Sequence, residues 1–185
     1  WVCGMGPPSS GGIAVAQSLG ILENFDLSAS QYLPTVVNSD GGKPSVAAVH
    51  LISESQRLAY ADRNKYVADT DFVPLPGNGV SSMLAKDYLK TRAALISATK
   101  SMGTAQAGVF PAAQALGSSA AEGNGTTHMS IVDKYGNALV MTATIESGMG
   151  SFHFTRGFLL NNQLTDFSFD PSDASGLIAN RIGPL

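Results

Sequence analysis

The sequence predicts an α+β fold in which helices come first and strands last, and three observations predict it. Apolar residues recur at helical spacing in stretches between residues 13 and 96. From 101 to 125 small residues dominate and no period is visible. From Thr126 onward, runs of β formers alternate with turn residues. Helices, then a flexible segment, then strands suggest an α+β or layered architecture.

Taken in order, Trp1-Val2-Cys3 reads as a strand end that enters the stiff turn Gly6-Pro7-Pro8-Ser9-Ser10-Gly11-Gly12. A helix is expected from Ile13 to about Phe25, with Ser9 or Ser10 as its N-cap. A polar, glycine-containing loop follows at Asn38-Ser39-Asp40-Gly41-Gly42. The clearest helix spans about Val46 to Tyr66. Val46, Val49, Ile52, Leu58 and Ala61 form its apolar stripe, and Glu54, Arg57, Arg63 and Lys65 are available to solvent. Pro74, Pro76 and Asn78-Gly79 mark a loop, and another helix runs from Ser82 to about Ile96. Residues 101–125 read as a flexible linker. Thr126–Asp133 and Ala138–Ile145 then form a hairpin around Lys134-Tyr135-Gly136-Asn137. The glycine-rich loop Ser147-Gly148-Met149-Gly150-Ser151 leads to a third strand at 157–162.

Composition narrows the function classes. The chain has 185 residues, the length of one domain or of a large piece of one; it is 44% hydrophobic and 14% charged, which suits a packed core. A net charge of -3 without a basic stripe argues against nucleic acid as a partner. No apolar run approaches the ~18 residues needed to cross a bilayer. Cys3 is the single cysteine and reads as a small core residue rather than a reactive thiol. The start at Trp1 and the abrupt stop at Leu185 suggest truncation at both ends, with any export signal upstream.

Several candidate chemistries fail on spacing. His50, His128 and His153 lack metal-ligand spacing, so no metal is expected. Asp69 and Asp71 read as capping carboxylates in a loop rather than a cation site. Ser9 and Ser10 have no Gly-x-Ser-x-Gly elbow around them.

Thr126 is more suggestive, because it stands where a flexible segment meets a buried strand. Within a chain its hydroxyl is a poor nucleophile. If the Gly125-Thr126 bond is cut, Thr126 gains an α-amine with a pKa of ~7.7–8.0, close enough to neutrality to accept the hydroxyl proton. One residue then supplies both nucleophile and base, and Gly125 leaves its carbonyl open to that same hydroxyl. On spacing alone the signal is weak, since Gly-Thr-Thr at such a boundary is usually just a loop ending.

Four segments carry a resemblance that decides between these readings. Gly125-Thr126-Thr127-His128-Met129-Ser130-Ile131-Val132-Asp133, continuing through Gly136-Asn137-Ala138, resembles the start of the small subunit of gamma-glutamyltranspeptidases. Pro7-Pro8-Ser9-Ser10-Gly11-Gly12 is similar to that family's large-subunit signature. Ala59-Tyr60-Ala61-Asp62-Arg63, with Tyr66, Asp69 and Asp71-Phe72-Val73, resembles its helix and exit loop. Leu159-Leu160-Asn161-Asn162-Gln163, with Asp166-Phe167, resembles its substrate-amine segment.

The resemblance implies an N-terminal-nucleophile hydrolase αββα sandwich, here partial and truncated at both ends. Residues 1–125 would be the C-terminal part of a large subunit, and 126–185 the N-terminal part of a small subunit. It implies self-cleavage between Gly125 and Thr126, then a gamma-glutamyl acyl-enzyme on Thr126 passed to water, amino acids or peptides. Thr144 would assist by hydrogen-bonding the nucleophile. Gln163 and Asp166 would hold the α-amino group of donors such as glutathione. Glu146 is a departure, because the best-known members carry asparagine there.

No cofactor or metal is implied, and the partners would be gamma-glutamyl compounds and the remainder of the chain's own two subunits. A periplasmic or extracellular location in a bacterium is implied as well. An arginine upstream of Trp1, and a Ser-Ser and a Gly-Gly pair beyond Leu185, would complete the site. Without that oxyanion hole the isolated chain is expected to be inactive, since one lost donor alone costs ~10²–10³ in rate, and it is expected to stay uncut because self-cleavage needs the strained junction that a complete fold imposes. A cephalosporin or glutaryl acylase on the same scaffold, or a non-catalytic homologue, are the alternatives.

Overall fold

A computed structural model describes residues 3–38, 41–71, 73–110, 126–166, 172–173 and 176–177. These fall into two compact units, residues 3–110 with 172–173 and 176–177, and residues 126–166.

The first unit is helical: α1 (Gly11–Leu22), α2 (Val46–Tyr66), α3 (Val80–Met83) and α4 (Lys86–Ala93). The α2 bounds match the sequence expectation, and Ser45 caps the helix by accepting from Ala48 N at 3.1 Å. The expected stripe does not hold, however. The buried side is Leu51, Glu54, Ser55, Leu58, Ala59, Asp62 and Tyr66, while Val46, Val49 and Ile52 are exposed. Glu54, expected in solvent, is 1% exposed. The stripe keeps helical spacing but mixes apolar and polar residues, so an apolar pattern alone misplaces it.

Two clusters form the core. Ile13, Tyr66, Val67, Met83 and Phe110 make one; Ile21, Leu58, Leu89 and Ala93 make the other. Helix α1 approaches α4 so closely that a Cβ on Gly20 would stand 2.4 Å from Leu89 Cδ1. Asp62 lies at the centre. Its Oδ2 accepts from Gln17 Nε2 (3.1 Å) and from the Tyr88 hydroxyl, and its Oδ1 from Gly108 N (2.8 Å), with Arg92 Nη2 at 3.2 Å. Burial, reinforced by the Asp62 carboxylate, pushes the Tyr88 phenol up.

That arrangement corrects the reading of 101–125 as a uniformly flexible linker. Residues 101–110 lack regular structure but are tied down, while 111–125 lie outside the described residues. Glu54 accepts from Ser101 Oγ (2.9 Å) and Met102 N (2.8 Å). Arg92 donates to Gln106 O (2.7 Å), and the Tyr66 hydroxyl donates to Gly108 O (2.6 Å). Phe110 packs edge-on against Tyr66, ring centroids 5.2 Å apart.

Other expectations shift locally. Ser10 is the N-cap residue of α1, but its hydroxyl accepts from Arg63 Nε (3.0 Å) instead of capping the helix. Cys3 is exposed rather than in the core. The helix expected over 82–96 is two helices, interrupted where Met83 O accepts from Gln17 Nε2 (3.1 Å) and Ala85 turns extended. The loop at 38–42 includes the ends of an antiparallel ribbon, β1 (Val36–Asn38) with β2 (Gly41–Lys43). His50 lies on α2 as expected, and Asp69 Oδ1 accepts from Asp71 N (3.0 Å) in a loop.

The second unit is built from hairpins. β3 (Thr126–Val132) pairs antiparallel with β4 (Ala138–Thr144) in the expected place. Asp133 shapes the turn: Oδ1 accepts from Tyr135 N (2.8 Å) and Asn137 N (2.9 Å), and Oδ2 from Asn137 Nδ2 (2.8 Å). Gly136 supplies the positive φ of 85° that the turn needs. The expectation of a buried strand is not met, because every residue of β3 and β4 is exposed. Each strand has one neighbour only, and the side chains on both faces of the ribbon are exposed. The third strand is shorter than expected. It is β6 (Phe158–Leu159), paired with β5 (Phe154–Thr155) across Arg156 and Gly157. Both turn residues have positive φ, 43° and 95°, as a two-residue hairpin loop favours. A last ribbon, β7 (Ser172–Asp173) with β8 (Gly176–Leu177), belongs to the helical unit.

Candidate active site

Alternation along β3 and β4 sorts their side chains into two faces. Thr126, His128 and Ser130 stand opposite Thr144, Thr142 and Val140; Thr127, Met129 and Ile131 stand opposite Ala143, Met141 and Leu139. The first face is mostly polar and the second mostly apolar. Thr126 opens β3 and Thr144 closes β4, and the register makes them cross-strand partners. Such partners hold their Cβ atoms about 4.5–5.5 Å apart, so two hydroxyls can meet there. Gly125 lies outside the described residues.

Beside this pair the ring of His128 is fixed at both nitrogens. Nδ1 is 2.8 Å from Thr142 Oγ1, and Nε2 is 3.1 Å from Ser130 Oγ. Sequence reasoning did not single out His128, although its place two residues from Thr126 on the same face was readable from the alternation. A hydroxyl can donate or accept, so either imidazole tautomer satisfies both contacts.

The chain leaves β4 through a sharp corner. Thr144 Oγ1 accepts from Glu146 N (2.9 Å), and Glu146 itself is buried with φ 72°. That left-handed conformation is uncommon for a residue other than glycine, asparagine or aspartate, and it stores strain. The corner is held from the other side by Asn162. Its Oδ1 accepts from Ser147 N (3.0 Å), its Nδ2 donates to Ser147 Oγ (3.1 Å), and its backbone N–H donates to Ile145 O (3.3 Å).

Nearby, the 147–151 loop presses on Leu160. Ser151 N donates to Leu160 O (2.9 Å), and a Cβ on Gly150 (φ 53°) would lie 2.0 Å from that same oxygen. Gln163 follows Asn162 directly and is half-buried at the start of the 3-10 turn Gln163–Asp166. Asp166 closes that turn; the placement of its side chain lies outside the described part of the structure.

One unit therefore brings together Thr126, Thr144, Glu146 and Gln163, residues scattered over nearly forty positions. The arrangement offers a hydroxyl pair at a strand terminus beside a strained, carboxylate-bearing corner. Among the described residues, no group of three or more His, Cys, Asp or Glu is arranged to hold a metal ion. No described helix is long and apolar enough to cross a membrane.

Comparison with known proteins adds an independent line. The sequence model of the family described as gamma-glutamyltranspeptidase matches residues 1–185. A glutathione hydrolase proenzyme from Escherichia coli (strain K12) is 38% identical over 190 residues, covering 99% of this chain and 29% of that protein. An acylase ACY 1 proenzyme from Pseudomonas sp. (strain V22) is 33% identical, covering 95% of this chain and 27% of that protein. The crystal structure of Helicobacter pylori gamma-glutamyltranspeptidase is 34% identical with a TM-score of 0.46, over 58% of this chain and 27% of that chain. The chain thus spans under a third of the length of these relatives.

Proposed function

Because the chain belongs to the gamma-glutamyltranspeptidase family, we propose that it carries the processing junction and the nucleophile of a self-cleaving gamma-glutamyl transferase and hydrolase. The observation that carries the reading is the register of Thr126 against Thr144 at the head of the hairpin. In the proposed precursor step, Thr126 Oγ attacks the Gly125 carbonyl carbon and the Gly125–Thr126 C–N bond breaks. The hydroxyl proton passes to the freed nitrogen. Water then hydrolyses the resulting ester, releasing residue 125 as a carboxylate and Thr126 with a free hydroxyl and amine.

In turnover, the α-amine of Thr126 takes the hydroxyl proton while Oγ attacks the donor's γ-amide. The leaving amine departs with a proton, and water or an amino acid or peptide receives the acyl group. Thr144 assists Thr126, and Glu146, Gln163 and Asp166 hold the donor ammonium through charge-assisted contacts. Residues 1–125 belong to the large subunit and 126–185 to the small one, within an αββα sandwich completed by the rest of the protein. Donors are gamma-glutamyl compounds such as glutathione, and the enzyme works in the periplasm or outside the cell.

The experiment is expression of the full-length protein, followed by intact mass, N-terminal sequencing and release of p-nitroaniline from gamma-glutamyl-p-nitroanilide. The expected result is a new N-terminus at Thr126 together with turnover, and Thr126→Ala loses both. The 185-residue chain on its own stays whole and inactive. A full-length protein that remains one chain and is inert would sink the reading. A second reading, a glutaryl-type acylase on the same scaffold, is favoured by the acylase relative. Faster turnover of glutaryl than of gamma-glutamyl amides would select it.

A further inference from the structure

Asn162 holds more of the candidate site than any residue the sequence singled out. Its amide has one acceptor oxygen and two donor hydrogens, and each is engaged. Oδ1 accepts from Ser147 N (3.0 Å), and Nδ2 donates to Ser147 Oγ (3.1 Å) and Thr165 Oγ1 (3.3 Å). A backbone N–H can only donate, so Ser147 N fixes which amide atom is oxygen. The Asn162 backbone takes three more, its N–H donating to Ile145 O (3.3 Å) and its O accepting from Thr165 N (2.9 Å) and Thr165 Oγ1 (2.8 Å).

Asn162 thus grips Ile145 and Ser147, the two residues that flank Glu146, and reaches Thr165, next to Asp166. Glu146 needs that grip. A buried residue at φ 72° keeps its conformation only where its neighbours over-determine it. Because Gln163 follows Asn162 in the chain, the same side chain also fixes the spacing from Glu146 to Gln163. We infer that Asn162 is the positioning residue for donor-ammonium recognition: it sets Glu146 and the 163–166 turn against one another and touches no substrate atom. This rests on the gamma-glutamyl reading above. It assigns amine recognition to the corner's rigidity as well as to the groups that contact the donor.

The test uses the full-length protein and reads self-cleavage, kcat and KM with gamma-glutamyl-p-nitroanilide. Asn162→Ala loses three side-chain hydrogen bonds. The expected result is intact self-cleavage, kcat within ~3-fold of wild type and KM raised at least ~10-fold. Asn162→Asp keeps the acceptor for Ser147 N, and the Ser147 hydroxyl can rotate to donate to it while Thr165 Oγ1 keeps its donation to the residue-162 backbone oxygen (2.8 Å), so KM returns to within ~3-fold of wild type. If Asn162→Ala fails to fold or to cleave itself, the double variant Ser147→Ala/Thr165→Val is read instead. It leaves the Asn162 side chain bonded to Ser147 N alone, and its expected KM is raised ~3–10-fold.

A KM that does not rise, or a kcat that falls while KM holds, overturns the inference. So does an aspartate variant that behaves like alanine. A wild-type protein that neither cleaves itself nor turns over defeats the functional reading and this inference with it. An active wild type with an unmoved KM in the variants defeats only the inference.

Discussion

The two units of the chain solve opposite problems. The helical unit buries two carboxylates and satisfies them: Asp62 and Glu54 accept from Gln17, Tyr88, Gly108, Arg92, Ser101, Met102 and Arg57. The hairpin unit exposes both faces of its main ribbon and concentrates its order in one strained corner around Glu146. The first unit commits buried charges to one another, an arrangement in which losing one partner is costly. The second buries little and leaves the Thr126 and Thr144 residues of the proposed chemistry exposed. The division teaches that the residues nearest the proposed chemistry are not those on which folding of the chain chiefly depends.

The sharpest way to break that comparison is to remove Asp62. Asp62→Ala leaves Arg92 buried, 4% exposed, without its carboxylate, and strips Gly108 N and Tyr88 of their acceptor. The expected cost is ~3–5 kcal/mol. Hydrogen exchange of the 185-residue chain reads it, with protection falling across α2 and α4 while β3 and β4 are unchanged. Equal losses in both units would show that they fold as one.

A smaller effect is expected in the hairpin unit. Gly150→Ala drives a Cβ against the backbone oxygen of Leu160, which cannot swing away as a side chain would, at a φ of 53°. About 1–3 kcal/mol of local strain follows, read as faster exchange of the Ser151 and Leu160 amides. Gly157→Ala is the control. Its φ of 95° carries the conformational cost, but open space surrounds the new Cβ. If the two variants behave alike, backbone conformation rather than the Gly150–Leu160 approach governs the corner.

The contrast also explains what the sequence revealed. Local signals sufficed for the α2 bounds and for the β3–β4 hairpin, because helix spacing, strand alternation and a Gly136-containing turn are encoded within a few residues, whereas a role for Thr144 beside Thr126 came only from the family resemblance. The face of α2 was not legible that way. Asp62 and Glu54 are buried because Arg92, Tyr88, Gly108 and Met102 come to them from 26 to 48 residues away. The interruption at Leu84 escaped for the same reason, since Gln17 reaches Met83 O across 66 positions. Within the site, Glu146 and Gln163 were legible through family resemblance. His128 and Asn162 were not singled out, because their importance lies in partners brought together by register and by the corner.

The smallest expected effect concerns acid. Burial pushes the Glu54 carboxyl up, but donation from Met102 N and Ser101 Oγ, with Arg57 beside it, outweighs burial and holds it below its ordinary value of 4.5. Asp133 is held below its ordinary 3.8, chiefly by the Asn137 side chain and backbone. Both folded values are lowered, so in each case the unfolded chain binds its proton first as pH falls. Their stabilisation is complete above the ordinary values and is lost as pH drops through the folded ones. The helical unit therefore begins to weaken below about pH 4.5, and the hairpin turn only below about pH 3.8. Glu54→Gln should flatten the acid slope of helical stability followed by circular dichroism, and Asp133→Asn should leave that slope alone while loosening the Asn137 amide. Because Asp133 is fully exposed and screened by solvent, its effect is the weaker of the two. An Asp133→Asn variant that changed the helical acid transition would mean that the turn and the buried carboxylates titrate as one system, and the separation of the two units would then fail.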